Sequence, residues 1–197
     1  VKFNTISTRL SHINIDFFER LYQTVYSTFS ELIPNEQALS YKVTRVDSTM
    51  VCETANKIEE GMVVANQNGR KKQIKYTISL TDMLPSSVEV FTQQSALSED
   101  VALSTTILKN IDKKVDNIFV FDRGLQSRDR FCKMDIEGFS FITRISKNSR
   151  NEVLEDYELP QNLKIGNLII QSDQKVFLFG KLKKHDHAFR LIKSTND

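Results

Sequence analysis

Between residues 41 and 145 the chain alternates short apolar runs with amphipathic stretches in the order β-β-β-α-β-α-β, an order that leaves few folds open. Three strands joined by short connections, followed by two helix-then-strand units, build a mixed sheet with helices on both faces. The first strand reads Tyr41-Lys-Val-Thr-Arg-Val-Asp47 and runs on through Met50-Val51-Cys52. A polar stretch over 53–69 follows, with one short helix around 54–60. Ile74-Lys-Tyr-Thr-Ile-Ser-Leu80 alternates apolar and polar residues, the period-2 signal of a half-buried strand. Thr81-Asp-Met-Leu-Pro-Ser86 is its turn, and 87–92 the return strand. Residues 98–113 read as a helix: Ser98 is placed as the N-cap, Glu99 and Asp100 fill the first turn, and Val101, Leu103, Ile107, Leu108 and Ile111 form the inner face. Asn117-Ile-Phe-Val-Phe-Asp122 is the next strand, followed by a helix over 127–137 and a strand over 139–145. In such a sheet the first strand is central and sits beside the fourth. Asp47 and Asp122 then become neighbours, although 122 − 47 = 75 residues separate them.

The flanks differ from this core. Residues 5–33 read as helical, with Ile13, Phe17, Leu21, Val25 and Phe29 recurring every four positions and Phe18, Tyr22 and Leu32 widening the stripe. Pro34 and Asn35 end the helix, and the stripe is expected to be core. After a polar linker over 147–152 and Pro160, three strand-like segments lie close together, over 163–171, 175–182 and 187–193. Turns at 172–174 and 183–186 separate them into an antiparallel meander. The expected division is a helical segment over 1–38, an α/β core over 39–146 and a β-rich insertion over 147–197.

Composition excludes several classes. At 40% hydrophobic and 26% charged residues the chain has the make-up of an ordinary globular protein. No apolar run approaches the roughly 20 residues a membrane helix needs. The start, Val1-Lys-Phe, has neither a signal-peptide pattern nor an initiator Met, and a fragment of a longer protein is expected. With 27 basic against 25 acidic residues the net charge is only +2, so any contact with nucleic acid must come from local patches. Cys52 and Cys132 form no zinc spacing, and a reduced interior is the expected setting.

The two strand-end aspartates carry the chemistry. Carboxylates about 4 Å apart repel by roughly 1 kcal/mol in water and about 4 kcal/mol at the effective dielectric of a protein surface. A divalent cation removes that penalty. Mg²⁺ prefers oxygen, keeps several waters and binds through one or two carboxylates plus a substrate phosphate, so Asp47 and Asp122 are candidate ligands for Mg²⁺ or Mn²⁺ acting on a phosphodiester. The competing reading is structural: Asp47-Ser-Thr and Asp122-Arg-Gly are both Asx-turn sequences.

Several blocks in order resemble the DDE transposases of bacterial insertion sequences, on the ribonuclease-H-like fold, and in particular the group whose last catalytic block reads Tyr-x2-Arg-x3-Glu-x6-Lys. Val46-Asp47-Ser-Thr49 sits at that family's first catalytic aspartate. Lys71-Lys-Gln-Ile-Lys-Tyr76, Leu84-Pro85 and Ser98-Glu-Asp100 follow its hairpin-then-helix pattern. Phe119-Val-Phe-Asp122-Arg-Gly124 is similar to its second aspartate block, and Gly138-Phe-Ser-Phe-Ile-Thr-Arg144 to the strand beyond it. The likeness covers about residues 40–146. It implies Mg²⁺-dependent nicking at transposon ends, attack by the freed 3′-hydroxyl on target DNA, and a homodimer working in a bacterial cytoplasm.

The chain also departs from that family. Leu125, Gln126 and Ser127 stand where an aromatic residue is common, and the block with the third acid is missing. Residues 147–197 resemble the β-rich insertion that precedes that glutamate, and of the acids present only Glu152, Glu155 and Glu158 are candidates to deputise for it. The chain is therefore expected to bind metal weakly and not to complete strand transfer by itself. Arg70, Lys71, Lys72 and Lys75 form a basic run that either contacts a DNA backbone or is a solvated loop, and Arg123 either touches phosphate or pairs with a carboxylate. His185 and His187 read as a wet hairpin tip rather than a metal tract. Two rival functions remain open: a ribonuclease-H-like nuclease that cuts without joining, and a non-catalytic DNA-binding relic.

Overall fold

The structure, a computed structural model, describes residues 3–10, 12–32, 41–52, 60–66, 69–81, 84–110, 116–161, 163–180 and 184–196. At its centre lies strand β1 (Lys42–Cys52). Strand β2 (Met62–Asn66) and strand β3 (Gly69–Thr81) form a hairpin, and β3 runs antiparallel to β1. Strand β4 (Leu84–Phe91) pairs with the same outer edge of β3 beyond β2. A short 3-10 turn (Gln94–Leu97) and helix α3 (Glu99–Lys109) lead to strand β5 (Asn117–Phe121), which lies parallel to β1 on its other side. Helix α4 (Arg128–Ile136) leads to strand β6 (Ser140–Thr143), parallel to β5. The result is a mixed α/β sheet of order β2-β3-β1-β5-β6, with β4 beside β3.

Strand β2 is absent from the sequence expectation. Its five residues sit between polar flanks, and the whole segment reads as irregular. The helix expected over 54–60 lies outside the described residues apart from Glu60.

Period-2 alternation turns Val46 of β1 and Phe119 and Phe121 of β5 to one face, where they are buried with Leu103 and Ile107 of α3 and Phe131 and Met134 of α4. Both helices therefore cover the same face, not opposite faces as expected. On the other face Arg45, Asp47 and Val51 of β1 and Ile142 of β6 are exposed. On the covered side β1 and β3 carry an interior polar ladder. The Thr44 and Thr81 hydroxyls are 2.9 Å apart, Asn117 Nδ2 donates to Thr44 Oγ1 at 2.9 Å, and the Ser48 and Thr77 hydroxyls lie within 2.8 Å. The Thr44, Thr81 and Asn117 bonds join three strands at one level, and Ser48–Thr77 ties β1 to β3 four residues further on, so a slip in register would leave these hydroxyls unpaired.

A second sheet follows: strand β7 (Asn151–Asp156), strand β8 (Lys164–Ile165), strand β9 (Leu168–Phe179) and strand β10 (Lys184–Asn196), in the order β10-β9-β7 with β8 beside β9. Strand β10 begins at Lys184, inside the turn expected over 183–186, and two further expectations fail here. The polar stretch at 151–152 begins β7, and the turn expected at 172–174 does not exist, because β9 runs through it. The reason is an ion pair. Asp173 is buried, and Arg190 of β10 donates to it from Nε at 2.9 Å and from Nη2, while also lying over the Tyr157 ring.

Hydrogen bonding from Arg190 holds the Asp173 carboxyl below the usual carboxylate range. A depressed folded-state value means the stabilisation is complete above the unfolded value of about 3.9 and disappears as pH falls through the folded one. Asp173→Asn is accordingly expected to lower the urea midpoint at pH 7, with the gap to wild type closing below about pH 4. A gap that stays constant down to pH 2 would contradict this.

The amino-terminal region forms two helices rather than the single expected one: α1 (Phe3–Leu10) and α2 (Ile15–Leu32). His12 Nδ1 lies 2.6 Å from the Thr8 carbonyl, and the Asn14 side chain accepts the Asp16 N–H at 3.0 Å, which stops one helix and starts the next. The α2 stripe expected in the core is exposed instead, with Phe17 at 54% and Phe29 at 52%. Helix α2 is tied down by the Tyr22 hydroxyl on the Pro85 carbonyl, at the margin of the stripe.

A candidate metal and phosphate cleft

The parallel pairing of β1 with β5 ends at Val46 opposite Phe121, and the next residues are Asp47 and Asp122. Neighbouring strands lie about 4.8 Å apart, so this register brings the two residues side by side. Val46 and Phe121 point into the core. Their successors therefore point to the open face, and both aspartates are exposed. Asp122 is the first residue past β5, as expected. Asp47 is not at a strand end: β1 continues to Cys52, still paired with β3. What stops at Asp47 is the β5 partner, and the result is an open cleft of about 430 Å³ lined by Arg45, Asp47, Asp122, Ile142, Thr143 and Arg144 among others.

The loop after β5 is held at several points. Asp122 Oδ1 accepts the Gly124 N–H at 2.7 Å, and the Thr143 hydroxyl donates to the Asp122 carbonyl at 3.0 Å. Asp100, at the start of α3, accepts the N–H groups of Gln126 and Ser127 at 2.7 Å each. A Cβ at Gly124 would lie 2.8 Å from Asp122 Oδ1 and 3.3 Å from Glu99 Cγ, so a larger residue there would push on the Asp122 carboxylate. The Asx turn is therefore real at Asp122, but it uses one oxygen. Asp47 likewise uses Oδ1, accepting the Ser48 N–H at 2.9 Å. Turn capping and cation binding do not exclude each other, since an ionised carboxylate offers about four lone-pair sites.

A pair of exposed carboxylates fits a hard, partly hydrated cation and not an all-protein cage. Among the described residues no cluster of three or more His, Cys, Asp or Glu could hold a metal. Glu99, beside Gly124, is engaged elsewhere: its Oε1 accepts from Lys75 Nζ at 2.8 Å. Glu152 and Glu155, considered as substitutes for a third acid, lie on β7 of the second sheet, opposite β9.

The basic run lies only in part among the described side chains. Lys75 is 1% exposed and donates to the Leu97 carbonyl and to Glu99, so it is a buried anchor between β3 and α3 and not a surface contact for DNA. Lys72 is half-buried on β3, while the side chains of Arg70 and Lys71 lie outside the described residues. Arg123 is exposed beside the cleft. His187 pairs with Asp135 of α4, and the His185 side chain lies outside the described residues.

Two cleft residues were missed from sequence. Arg45 precedes Asp47 by two and so shares its face. Arg144 follows Thr143, the register partner of Phe121, and therefore stands level with Asp122. Period-2 counting would have found the first; the second needed the β5–β6 register. No family model matches this chain, and no curated protein matches it either.

Proposed function

We propose that the cleft binds Mg²⁺ or Mn²⁺ through Asp47 and Asp122 and acts on DNA phosphodiesters, as the catalytic part of an insertion-sequence transposase. The adjacency of the two aspartates across the β1–β5 register, with two arginines lining the same cleft, carries the reading. The central position of β1 between antiparallel β3 and parallel β5 supports a ribonuclease-H-like fold. When bound, a divalent ion supplies Lewis-acid polarisation of the phosphate and a lowered pKa for an attacking oxygen. The chain's own residues do the rest. Asp47 and Asp122 offer their unpaired oxygens to the cation. Arg45 and Arg144 present guanidinium donors to non-bridging phosphate oxygens, for which bidentate geometry suits them. Thr143 and Gly124 keep Asp122 in place. With two acids lining the cleft among the described residues, metal binding is weak, and strand transfer by a full-length dimer on paired transposon ends in a bacterial cytoplasm needs a third carboxylate.

DNA affinity measured against salt tests the arginines. Each phosphate contact adds about one to the slope of log K against log salt. Arg45→Ala and Arg144→Ala are each expected to reduce that slope by about one and to weaken binding similarly for all sequences. Slopes unchanged in both variants would sink the phosphate-binding reading. A strand-transfer assay on full-length protein separates a transposase from a nuclease that only cuts.

A further inference from the structure

Lys75 of β3 is 1% exposed, and its ammonium group donates to the Leu97 carbonyl and to Glu99 Oε1, each at 2.8 Å. Taking such a charge out of water is costly, and a methionine of similar size would fill the same volume without that cost. A buried ion pair is therefore a poor source of stability, but it holds its partners in one geometry. What this pair holds lies beside the cleft.

Beyond Phe121 no register pair of β5 holds the chain, so the place of Asp122 depends on contacts made by side chains. Glu99 meets that turn from α3. A Cβ position on Gly124 lies 3.3 Å from Glu99 Cγ and 2.8 Å from Asp122 Oδ1, so the Glu99 stem and the Asp122 carboxylate pack on one glycine. Asp100, the next residue of α3, accepts the N–H groups of Gln126 and Ser127 farther along the same loop. Lys75 holds this end of α3 to β3, three residues from Ile78, the register partner of Asp47. One buried ammonium therefore connects the strand that aligns Asp47 with the turn that carries Asp122.

We propose that Lys75 is a positioning residue of the cleft: through Glu99 it clamps the Asp122 turn and sets the distance of Asp122 from Asp47. This role rests on the metal-binding reading of the two aspartates, and neither Lys75 nor Glu99 lines the cleft itself. Glu99 acts by its shape and by the bond it accepts, not as a ligand, since its Oε1 is turned to Lys75. Supporting groups of this kind change the affinity of a metal site by about 10–100-fold when they are removed.

Two readouts on the whole chain test this: Mn²⁺ affinity by electron paramagnetic resonance, and exchange of the Gly124 amide by NMR in the absence of metal. Lys75→Met is expected to weaken Mn²⁺ binding about tenfold and to speed Gly124 exchange by a similar factor, while circular dichroism shows a folded chain. Glu99→Ala should do the same, and it carries the test if Lys75→Met does not fold, because the Glu99 side chain is 37% exposed. Glu99→Gln keeps the shape and still accepts from Lys75, so both readouts should stay within about twofold of wild type. Thr44→Val, which breaks the Thr81 and Asn117 bonds at the far end of β1, should lower the urea midpoint yet leave Mn²⁺ affinity within about twofold. If the wild type binds Mn²⁺, unchanged affinity or unchanged Gly124 exchange in Lys75→Met overturns the positioning role. So does an equal loss in Thr44→Val, which would mean general loosening, or in Glu99→Gln, which would mean that the Glu99 charge acts on the metal. A wild type that binds no Mn²⁺, with Gly124 exchange still set by Lys75, overturns the metal reading and leaves the clamp on the turn standing.

Discussion

Asp47→Asn and Asp122→Asn are each expected to abolish measurable Mn²⁺ binding while leaving the fold intact. The wild-type affinity should be weak, on the order of 1 mM, because two exposed carboxylates and water make a loose site. Removing either charge leaves a single monodentate ligand, and the loss should be at least tenfold. Stability should move the opposite way. Without metal the two carboxylates repel across the register, so neutralising one is expected to raise the melting temperature slightly in chelator. The Asn amide oxygen still accepts the Gly124 or Ser48 N–H, so the caps survive the change. If the aspartates only capped turns, asparagine would be neutral and no Mn²⁺ would bind to either form. Electron paramagnetic resonance of Mn²⁺, with thermal melts plus and minus metal, reads both outcomes. Equal Mn²⁺ binding by wild type and both variants would end the metal assignment.

The adjacency of Asp47 and Asp122 was legible because the order of the elements set the first strand beside the strand that ends at Asp122. Val46 and Phe121 had to face the core, so Asp47 and Asp122 had to face outward, and the strand order brought them together. Three things were not legible. Lys75 belonged, by charge, with Lys71 and Lys72, yet it alternates with Ile74 and Tyr76 onto the covered face, where Glu99 and a carbonyl satisfy it. Composition sees a charge, whereas geometry decides which face it occupies. Likewise Ser172-Asp-Gln174 reads as a turn because those residues favour turns locally. The Arg190 pair, 17 residues away, overrides that preference, and no local signal announces it. The α2 stripe failed for a related reason: periodicity identifies a face that must be covered but does not say by what.

Phe131→Ala is expected to produce the largest loss of stability available to a single substitution in this core, about 3–5 kcal/mol. Phe131 is 1% exposed on α4, where it is packed from three directions. Its ring lies 6.3 Å from Phe121 of β5, 5.4 Å from Phe141 of β6 and 6.3 Å from Phe189 of β10, and the Arg128 guanidinium sits 5.2 Å over it. It is thus the point at which both sheets meet one helix. Truncation leaves a void between elements anchored elsewhere, which cannot close without moving a sheet. Phe121 immediately precedes Asp122, so loosening here should also weaken Mn²⁺ binding without touching a ligand. Ile136, five residues along the same helix but 73% exposed, provides the control: Ile136→Ala should change stability by less than about 0.5 kcal/mol. Urea unfolding followed by circular dichroism distinguishes the two. A Phe131→Ala cost below about 1 kcal/mol would mean that the second sheet does not pack on α4 through this ring, and that the two sheets unfold independently.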